Sequence, residues 1–346
     1  EKWSKWLGTK YSVFCNSGSS ANLLMLSALK ESGYMKNNKV VVPSVAWATD
    51  LAPVMQLGFE PILVDSNMED LSVDLEHLEK IFKEEKPSAL MFVSVLGLVP
   101  DMDRIMDLCV KHSVTLLEDT CESMGCEYKG KKLGTFGMMS TFSTYFGHHI
   151  STIEGGFIST DDFGLYELLV SLRSHGWDRD LSKHSQKVLQ KDWNVSEFDA
   201  MYTFYYPGYN LRSTDLQAYI GLSQIDKLNE WGVRRAKNFK LYQNNIKNDY
   251  WKVKPQTDSF ISNFAYPVIH PNRDKIVKKL QEKNIEVRPM ICGSMGTQPF
   301  YVKKYGRLEL PNVSIIDKYG FYIPNHPYLT EGQIFQILNI VNKEIQ

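Results

Sequence analysis

The chain has 346 residues, with 39 basic and 40 acidic side chains and a formal net charge of −1. This balance and the lack of a long basic run argue against nucleic acid as a partner, and no apolar run reaches the roughly 20 residues of a membrane span. Five cysteines without a CxxC pair fit reduced thiols in a cytoplasmic protein better than a disulfide framework. The first residues lack the form of a signal peptide, and without an initial Met we expect the chain to be trimmed at its N-terminus.

Apolar runs alternate with helical patterns through the first two-thirds of the chain, which predicts an α/β sheet. The runs at 40–43, 61–65, 89–93 and 114–119 are typical of strands. Amphipathic helices are predicted at 22–31, 75–84 and 103–112. Several strands end in Pro or an acid, at the carboxyl edge where α/β sheets usually bind ligands.

The last third has a different pattern. A long helix is predicted from Leu216 through Ile246, followed by a strand at 264–269, a helix near 273–283, a strand near 284–288 and a last helix near 331–344. We therefore expect a large domain over 1–225, and the long helix with a smaller α+β domain over 226–346.

Three short features in the first half carry candidate chemistry. Residues 16–21, Asn-Ser-Gly-Ser-Ser-Ala, open a helix and offer free N–H groups to an anion, although a plain N-cap is the simpler interpretation. Trp47 follows a strand, where a large aromatic is more often part of the core. Asp119 ends a strand, where a carboxylate often only caps the next helix; Glu118 is the competing acid.

These segments, in this order, resemble the pyridoxal phosphate (PLP) dependent sugar aminotransferases of the DegT, DnrJ and EryC1 family. The resemblance extends to residues 209–217, Tyr-Asn-Leu-Arg-Ser-Thr-Asp-Leu-Gln, and to 173–176, Arg-Ser-His-Gly. It implies a PLP-dependent transferase fold of the aspartate aminotransferase type (fold type I), with a mixed sheet in the large domain. It also implies a homodimer with shared active sites.

The resemblance assigns roles to individual side chains. It implies that the PLP phosphate is held by serines and by an asparagine from the neighbouring subunit, namely Ser19, Ser20, Ser143 and Asn210. Trp47 would stack on the pyridine ring, and Asp119 would pair with the ring nitrogen so that the ring becomes an electron sink. Glu122 is expected close to the cofactor, and His175 and Arg179 on the sugar side.

The most informative departure lies in residues 143–156, Ser-Thr-Tyr-Phe-Gly-His-His-Ile-Ser-Thr-Ile-Glu-Gly-Gly. Most of the family has a lysine six residues before this Glu, and it holds PLP as a Schiff base. Here that position is His148, which can move protons but cannot form a stable Schiff base; His149 is the rival. The lysines at 129, 131 and 132 resemble solvated hairpin residues more than a displaced Schiff-base lysine.

Histidine in place of the Schiff-base lysine is typical of the ketosugar 3-dehydratases within the family. One branch of them needs an iron–sulfur cluster, but this chain has only Cys292 after His148, so no cluster is expected. The cluster-free branch implies pyridoxamine phosphate (PMP) as the working form, His148 as acid and base, and L-glutamate to regenerate PMP. The expected substrate is a nucleotide-linked 4-keto-6-deoxyhexose, with GDP-4-keto-6-deoxy-D-mannose favoured. The alternatives are a sugar 4-aminotransferase and a non-catalytic regulator or partner subunit.

Overall fold

A computed structural model of the protein describes residues 1–345. Its strands, numbered in chain order, are β1 (Tyr11–Cys15), β2 (Lys39–Pro43), β3 (Glu60–Val64), β4 (Ala89–Val93), β5 (Thr115–Asp119), β6 (Glu127–Tyr128), β7 (Lys131–Lys132), β8 (Met139–Ser143), β9 (Gly156–Thr160), β10 (Ser259–Phe260), β11 (Ala265–Ile269), β12 (Arg288–Pro289) and β13 (Gly320–Pro324).

The α-helices are α1 (Lys2–Leu7), α2 (Gly18–Glu31), α3 (Ala48–Gln56), α4 (Leu75–Glu85), α5 (Met102–His112), α6 (Phe163–Arg173), α7 (Lys183–Asp192), α8 (Asp215–Ile225), α9 (Leu228–Asn245), α10 (Arg273–Gln281), α11 (Pro299–Tyr305), α12 (Pro311–Tyr319) and α13 (Glu331–Ile345). Short 3₁₀ turns lie at Val95–Gly97, Asp199–Tyr202 and Met295–Thr297. The predicted α/β class is confirmed.

A seven-stranded mixed sheet forms the centre, in the order β1-β9-β8-β5-β4-β2-β3. Its strands run parallel except β9, which is antiparallel to both neighbours. Val40, Val41 and Val42 of β2 are fully buried, as expected for a strand covered on both faces. The carboxyl ends of β1, β2, β5 and β8 therefore share one edge of the sheet.

The helices on this sheet owe their form to amphipathic spacing. In α4 the buried side chains are Leu78, Ile81 and Phe82, which lie on one face at helical spacing, and Asp74 caps the helix by accepting from the His77 amide. α2 packs against β8, β9, α3 and α6. The burial of α2 fixes the position of its first turn at the carboxyl edge of the sheet.

Two smaller sheets complete the fold. β11, β13 and β12 form an antiparallel sheet near the C-terminus, and β10 pairs with the β6–β7 hairpin. The predicted strand at 264–269 and the predicted helices at 273–283 and 331–344 are confirmed as β11, α10 and α13. The strand predicted near 284–288 is wrong in position, because only Arg288–Pro289 pair with β13.

The single long helix predicted from Leu216 through Ile246 is wrong. The structure has two helices, α8 and α9, separated by a turn at Asp226 and Lys227. Lys2 Nζ donates to the Leu222 carbonyl at 3.1 Å and to Asp226 at 2.6 Å. The backbone itself turns here, with Lys227 N donating to the Gln224 carbonyl at 2.9 Å, and the Lys2 contacts lie at this turn.

None of the helices within residues 1–345 is both long and apolar enough to cross a membrane.

Candidate active site

The first turn of α2 forms one wall of the site. Ser17 caps the helix, its Oγ accepting from the Ser20 amide at 3.0 Å, and the first helical hydrogen bond runs from Ala21 N to Ser17 O. The amides of Gly18 and Ser19, which come before the capped Ser20 amide, remain available for an anion, as at other helix N-termini. Ser19 is exposed and Ser20 is partly buried. The N-cap and anion-site interpretations therefore both fit this segment.

Close packing brings Ser143 to this turn. A Cβ placed on Gly18 would lie 2.6 Å from Ser143 Cβ, and one on Gly156 would lie 2.4 Å from the Ser17 carbonyl oxygen. Both distances are shorter than side-chain contacts allow, so glycine is required for this approach. The serines predicted to hold the phosphate thus come from two elements, the start of α2 and the end of β8, that are in direct contact.

Asp119 occupies the end of β5 and belongs to a buried network. Its Oδ1 accepts from the Cys121 amide at 2.8 Å, and its Oδ2 accepts from Asn22 Nδ2 at 2.7 Å. Asn22 is held in turn by Thr141, whose Oγ1 donates to Asn22 Oδ1 at 2.6 Å. A turn and not a helix follows Asp119, so the helix-cap interpretation fails.

The neighbouring acid Glu118 has a structural role. Its carboxylate accepts from the backbone amides of Gly134, Phe136 and Gly137 at 2.7–2.8 Å. Burial raises the pKa of Glu118, and these amides lower it. Glu118 therefore holds the loop before β8 in place. Asp119 is the acid at this strand end that remains for a ligand.

Trp47 stands at the start of α3, beside this network. It is 53% exposed, so the interpretation of Trp47 as a core residue is wrong. Its backbone amide donates to Asp50 Oδ2 at 2.9 Å, which fixes the entry to the helix. The indole is consequently free to cover a planar ligand at the carboxyl edge of β2.

Glu122 follows in the turn after β5. Its Oε2 accepts from the Leu96 amide at 2.7 Å. Burial raises the pKa of Glu122 to about 8, and the charge of Asp119 adds to this effect, while the Leu96 amide opposes it. Leu96 has φ 54° and the following Gly97 has φ 81°, so a strained turn presents this amide to the carboxyl group.

The two adjacent histidines differ in their surroundings. His149 is buried, and its Nε2 is 2.6 Å from the Ser262 carbonyl oxygen, which requires the ring nitrogen to donate. His148 is partly buried, and its Nδ1 is shielded from solvent without a hydrogen-bond partner in the described chain. Its ring centre is 5.2 Å from that of Phe264.

Burial lowers the pKa of His148 to about 4, although the charge of Asp119 and the Cys121 backbone act in the opposite direction. The pKa of His149 is also well below its usual range, first because of burial and then because of the buried guanidinium of Arg235. Both rings are therefore neutral near pH 7. Nδ1 of each ring lacks a hydrogen-bond partner in the described chain, but His149 is held by Ser262 through Nε2 and is buried, whereas His148 is only partly buried.

The remaining predicted residues lie apart from this group. Asn210 is exposed, and its Oδ1 accepts from the Arg212 guanidinium at 3.2 Å. Arg179 donates from Nε to the Met201 carbonyl at 3.0 Å. Its guanidinium also lies 4.1 Å from the centre of the Trp177 ring.

His175 adopts a left-handed backbone conformation with φ 63° and packs against Trp177, with ring centres 5.0 Å apart. One chain thus brings together Ser19, Ser20, Trp47, Asp119, Glu122, Ser143 and His148, but it leaves Asn210, His175 and Arg179 at an open edge.

Three residues of the network were not predicted from the sequence, namely Asn22, Asp50 and Thr141. Asp50 gave the best signal, since it is an acid within the apolar stretch Ala48–Val54. Asn22 and Thr141 gave none, because polar side chains at such positions are common at helix starts and in strands.

These residues fit the implied cofactor. Free amides and serines at the start of α2 suit a phosphate, a buried carboxylate suits a protonated ring nitrogen, and an exposed indole suits the ring face. Several buried polar atoms nearby also lack partners within residues 1–345, including Asn16 Oδ1, Ser44 Oγ, Ser94 Oγ and His148 Nδ1. Such orphaned atoms are expected where a polar ligand belongs.

Neither a disulfide nor a metal site occurs in the part of the chain that the structure describes. Its five cysteines are free thiols. No cluster of three or more His, Cys, Asp or Glu side chains there has an arrangement that could hold a metal ion.

Comparison with known proteins extends these observations. The DegT/DnrJ/EryC1/StrS aminotransferase family matches residues 1–342. The GDP-4-keto-6-deoxy-D-mannose 3-dehydratase of Yersinia pseudotuberculosis is 35% identical over 99% of this chain and 89% of its own length. The Escherichia coli enzyme of the same name, solved with bound hydrated PLP, superimposes with a TM-score of 0.88 at 32% identity, over 98% of this chain and 90% of that one.

Two further structures of that dehydratase match equally well, at TM-score 0.88 and 32% identity over 98% of this chain and 90% of theirs. One contains a trapped PLP-glutamate geminal diamine. The other is a histidine-to-asparagine mutant with bound GDP-perosamine. These matches confirm the predicted fold and the predicted family resemblance.

Proposed function

The chain belongs to the DegT/DnrJ/EryC1/StrS aminotransferase family, and we propose that it is a PLP- and PMP-dependent 3-dehydratase of a nucleotide-linked 4-keto-6-deoxyhexose. GDP-4-keto-6-deoxy-D-mannose is the favoured substrate, since relatives that bear this substrate in their name match along almost the whole chain. The observation that carries the proposal is His148, a neutral ring with a free nitrogen, at the position where most of the family has its cofactor lysine.

The lysines nearest in sequence do not replace the missing one. Lys129 pairs with Asp103, and the ammonium groups of Lys131 and Lys132 lie 4.3 Å and 5.3 Å from the ring centres of Phe136 and Trp6. They belong to the β6–β7 hairpin, as expected. We infer that the cofactor has no covalent bond to them.

The protein residues would bind, orient and exchange protons. Ser19, Ser20 and Ser143 would hold the cofactor phosphate, Trp47 would cover the ring, and Asp119 would keep the ring nitrogen protonated. When bound, the cofactor supplies an electron sink for the negative charge that develops as the substrate reacts.

His148 is the acid and base in this proposal. With its pKa near 4 in the cofactor-free protein, its ring is unprotonated at neutral pH and able to accept a proton. Once charged, it can return that proton to the hydroxyl that leaves from sugar C3. Loss of this hydroxyl, with L-glutamate restoring the amino form of the cofactor, completes the proposed cycle.

We also propose a homodimer in which Asn210 reaches the partner's cofactor phosphate. Large apolar side chains on α8 and in the segment 198–204 are exposed in the single chain: Leu216, Tyr219 and Leu222, and Phe198, Tyr202 and Phe204. Such a patch commonly marks an interface. The division into domains at 225/226 likewise stays a prediction.

The test is incubation with L-glutamate and GDP-, CDP- or dTDP-linked 4-keto-6-deoxyhexoses, followed by the mass of the sugar product. A 3-deoxy ketosugar supports the proposal, and the preferred nucleotide identifies the substrate. A 4-amino sugar would instead make the protein an aminotransferase. No product with any of the three, together with no spectral response to glutamate, would favour a non-catalytic protein. The His148→Asn variant is the matched control.

A further inference from the structure

A carboxyl group without a role in the proposed reaction lies beside Asp119. Asp50 is fully buried in the first turn of α3. Its Oδ2 accepts from the Trp47 amide at 2.9 Å, and its Oδ1 lies 3.2 Å from Asn22 Nδ2. The same Nδ2 donates to Asp119 Oδ2 at 2.7 Å. Asp50 thus links the residue assigned to the ring face with the residue assigned to the ring nitrogen.

We propose that Asp50 keeps a proton at neutral pH and donates it in a hydrogen bond to the Asp119 carboxylate, which makes Asp50 a positioning residue for the ring-nitrogen partner. This inference rests on the proposed cofactor site. Its physical basis is that two buried carboxylates sharing one amide donor cannot both ionise without a large cost.

The hydrogen bonds that each carboxyl group accepts decide which of the two acids is charged. Asp119 accepts two short hydrogen bonds, at 2.7 Å from Asn22 and 2.8 Å from Cys121 N. Asp50 accepts from Trp47 N at 2.9 Å and more weakly from Asn22 at 3.2 Å. Hydrogen bonds to the charged form favour that form, so the charge belongs to Asp119 and the proton to Asp50.

The surroundings favour the same assignment. Burial raises the pKa of Asp50 well above its usual range, and the charge of Asp119, the hydrogen bond with it and the charge of Glu122 raise it further. Cys121 also faces this group, and burial raises its thiol pKa. His148 is a titratable base that the charge of Asp119 acts on, and burial keeps it neutral by lowering its pKa. No cation among these neighbours compensates a second negative charge.

The consequence is a single negative charge opposite a single protonated ring nitrogen. A neutral Asp50 restrains Asp119 by a hydrogen bond without adding to that charge. Asparagine reproduces a neutral Asp50, because its carbonyl can accept from Trp47 N and its amide can donate to Asp119. Leucine has similar size and provides neither group.

The experiment compares Asp50→Asn with Asp50→Leu. We expect Asp50→Asn to keep the dissociation constant for pyridoxamine 5′-phosphate within about threefold, and Asp50→Leu to raise it by about tenfold to a hundredfold, because a hydrogen bond to a charged group is lost. The pH titration of the bound cofactor's absorbance should be unchanged in the first variant and displaced in the second.

Asp74→Leu is the matched control for a lost helix cap. Asp74 caps α4 by accepting from His77 N at 2.8 Å, away from the site. This variant should lower the melting temperature as Asp50→Leu does, while leaving cofactor affinity unchanged. Cofactor binding by Asp50→Leu that equals the wild type, or a loss in Asp50→Asn as large as in Asp50→Leu, would overturn the proposal.

Infrared spectroscopy of the cofactor-free protein tests the proton directly. The difference spectrum of wild type minus Asp50→Asn should contain a carboxylic acid carbonyl band that persists above pH 8, where Glu122 loses its proton. Absence of the band would show that Asp50 is ionised. This measurement needs no cofactor or substrate, so a failure of the proposed function leaves its result interpretable.

Discussion

The two halves of the candidate site are built in different ways. The half assigned to the ring nitrogen of the cofactor is a buried network within one chain, since Asn22, Asp50, Asp119 and Thr141 are joined by hydrogen bonds of 2.6–3.2 Å. At the other edge, Asn210 and Arg179 are exposed and contact only neighbours on the same surface. The difference indicates that a single chain preorganises the residues assigned to the ring nitrogen, whereas Asn210 and Arg179 have no such buried support.

The largest effect is expected at His148, the residue proposed as acid and base. His148→Asn should lower the dehydration rate by about 10²–10⁴-fold, the usual loss when a general acid or base is removed, while binding pyridoxamine 5′-phosphate normally. His149→Asn should lose stability more than turnover, because His149 anchors the Ser262 carbonyl. Turnover and cofactor affinity of both variants check this; an inactive His149 variant beside an active His148 variant would exchange their roles.

Replacing Asn210 tests the open edge of the site. Asn210→Ala should weaken cofactor binding by about tenfold or more if its amide meets a phosphate in the partner subunit. Mixing this variant with His148→Asn should then restore about a quarter of wild-type activity, because half the dimers are hybrids with one intact site each. Native mass spectrometry verifies subunit exchange. Exchange without recovered activity would confine Asn210 to its own chain.

Glu122 tests whether burial controls ionisation near the ring. Its folded-state pKa of about 8 exceeds its ordinary value of 4.5, so its contribution to stability is complete at low pH and is lost as pH rises through 8. Glu122→Gln should remove that slope, at most about 1.4 kcal/mol per pH unit. Denaturant unfolding between pH 6.5 and 8 measures it, above the range where His148 titrates.

Glu230→Gln is the control for that slope, because Glu230 is exposed and pairs only with Arg234. An unchanged slope in Glu122→Gln would mean that Glu122 is already ionised in the folded protein.

The smallest effect is expected at Trp47. Trp47→Ala should raise the cofactor dissociation constant by about twofold to tenfold, which corresponds to the loss of one aromatic stacking contact. Trp47→Phe should retain most of the affinity. Since Asp50 holds the backbone amide of residue 47, both variants keep the start of α3, and fluorescence titration isolates the ring contact. Equal losses in both would point to a packing role.

The sequence predicted features that depend on local pattern. The buried valines of β2, the acid that ends β5 and the β6–β7 hairpin all follow from apolar runs and turn residues. The break between α8 and α9 was missed because neither Gly nor Pro marks the turn at Asp226 and Lys227, and the Lys2 contacts at that turn come from more than 200 residues away. The short β12 was misplaced because its pairing with β13, and not its own composition, defines it.

The candidate site likewise contains residues that local motifs predict and residues whose roles depend on tertiary contacts. The resemblance gave the residues that would face the cofactor, each from its place in a motif. It gave nothing on Asn22, Asp50 and Thr141, whose roles arise only when three separate elements meet behind Asp119. The preference for His148 over His149 also gains its physical support from tertiary structure, since Ser262 anchors the buried His149 ring, whereas His148 is only partly buried.

Helix α8 holds the loop that carries His148. Gln217 Nε2 donates to the Glu154 carbonyl at 2.7 Å, and Gln224 Oε1 accepts from the Ser151 amide at 2.9 Å. The opposite side of this helix bears exposed Leu216, Tyr219 and Leu222. If a second subunit covers that side, dissociation removes support from the loop that carries His148 as well as from the interface. Specific activity should then fall on dilution before any secondary structure is lost, so that catalysis depends on protein concentration.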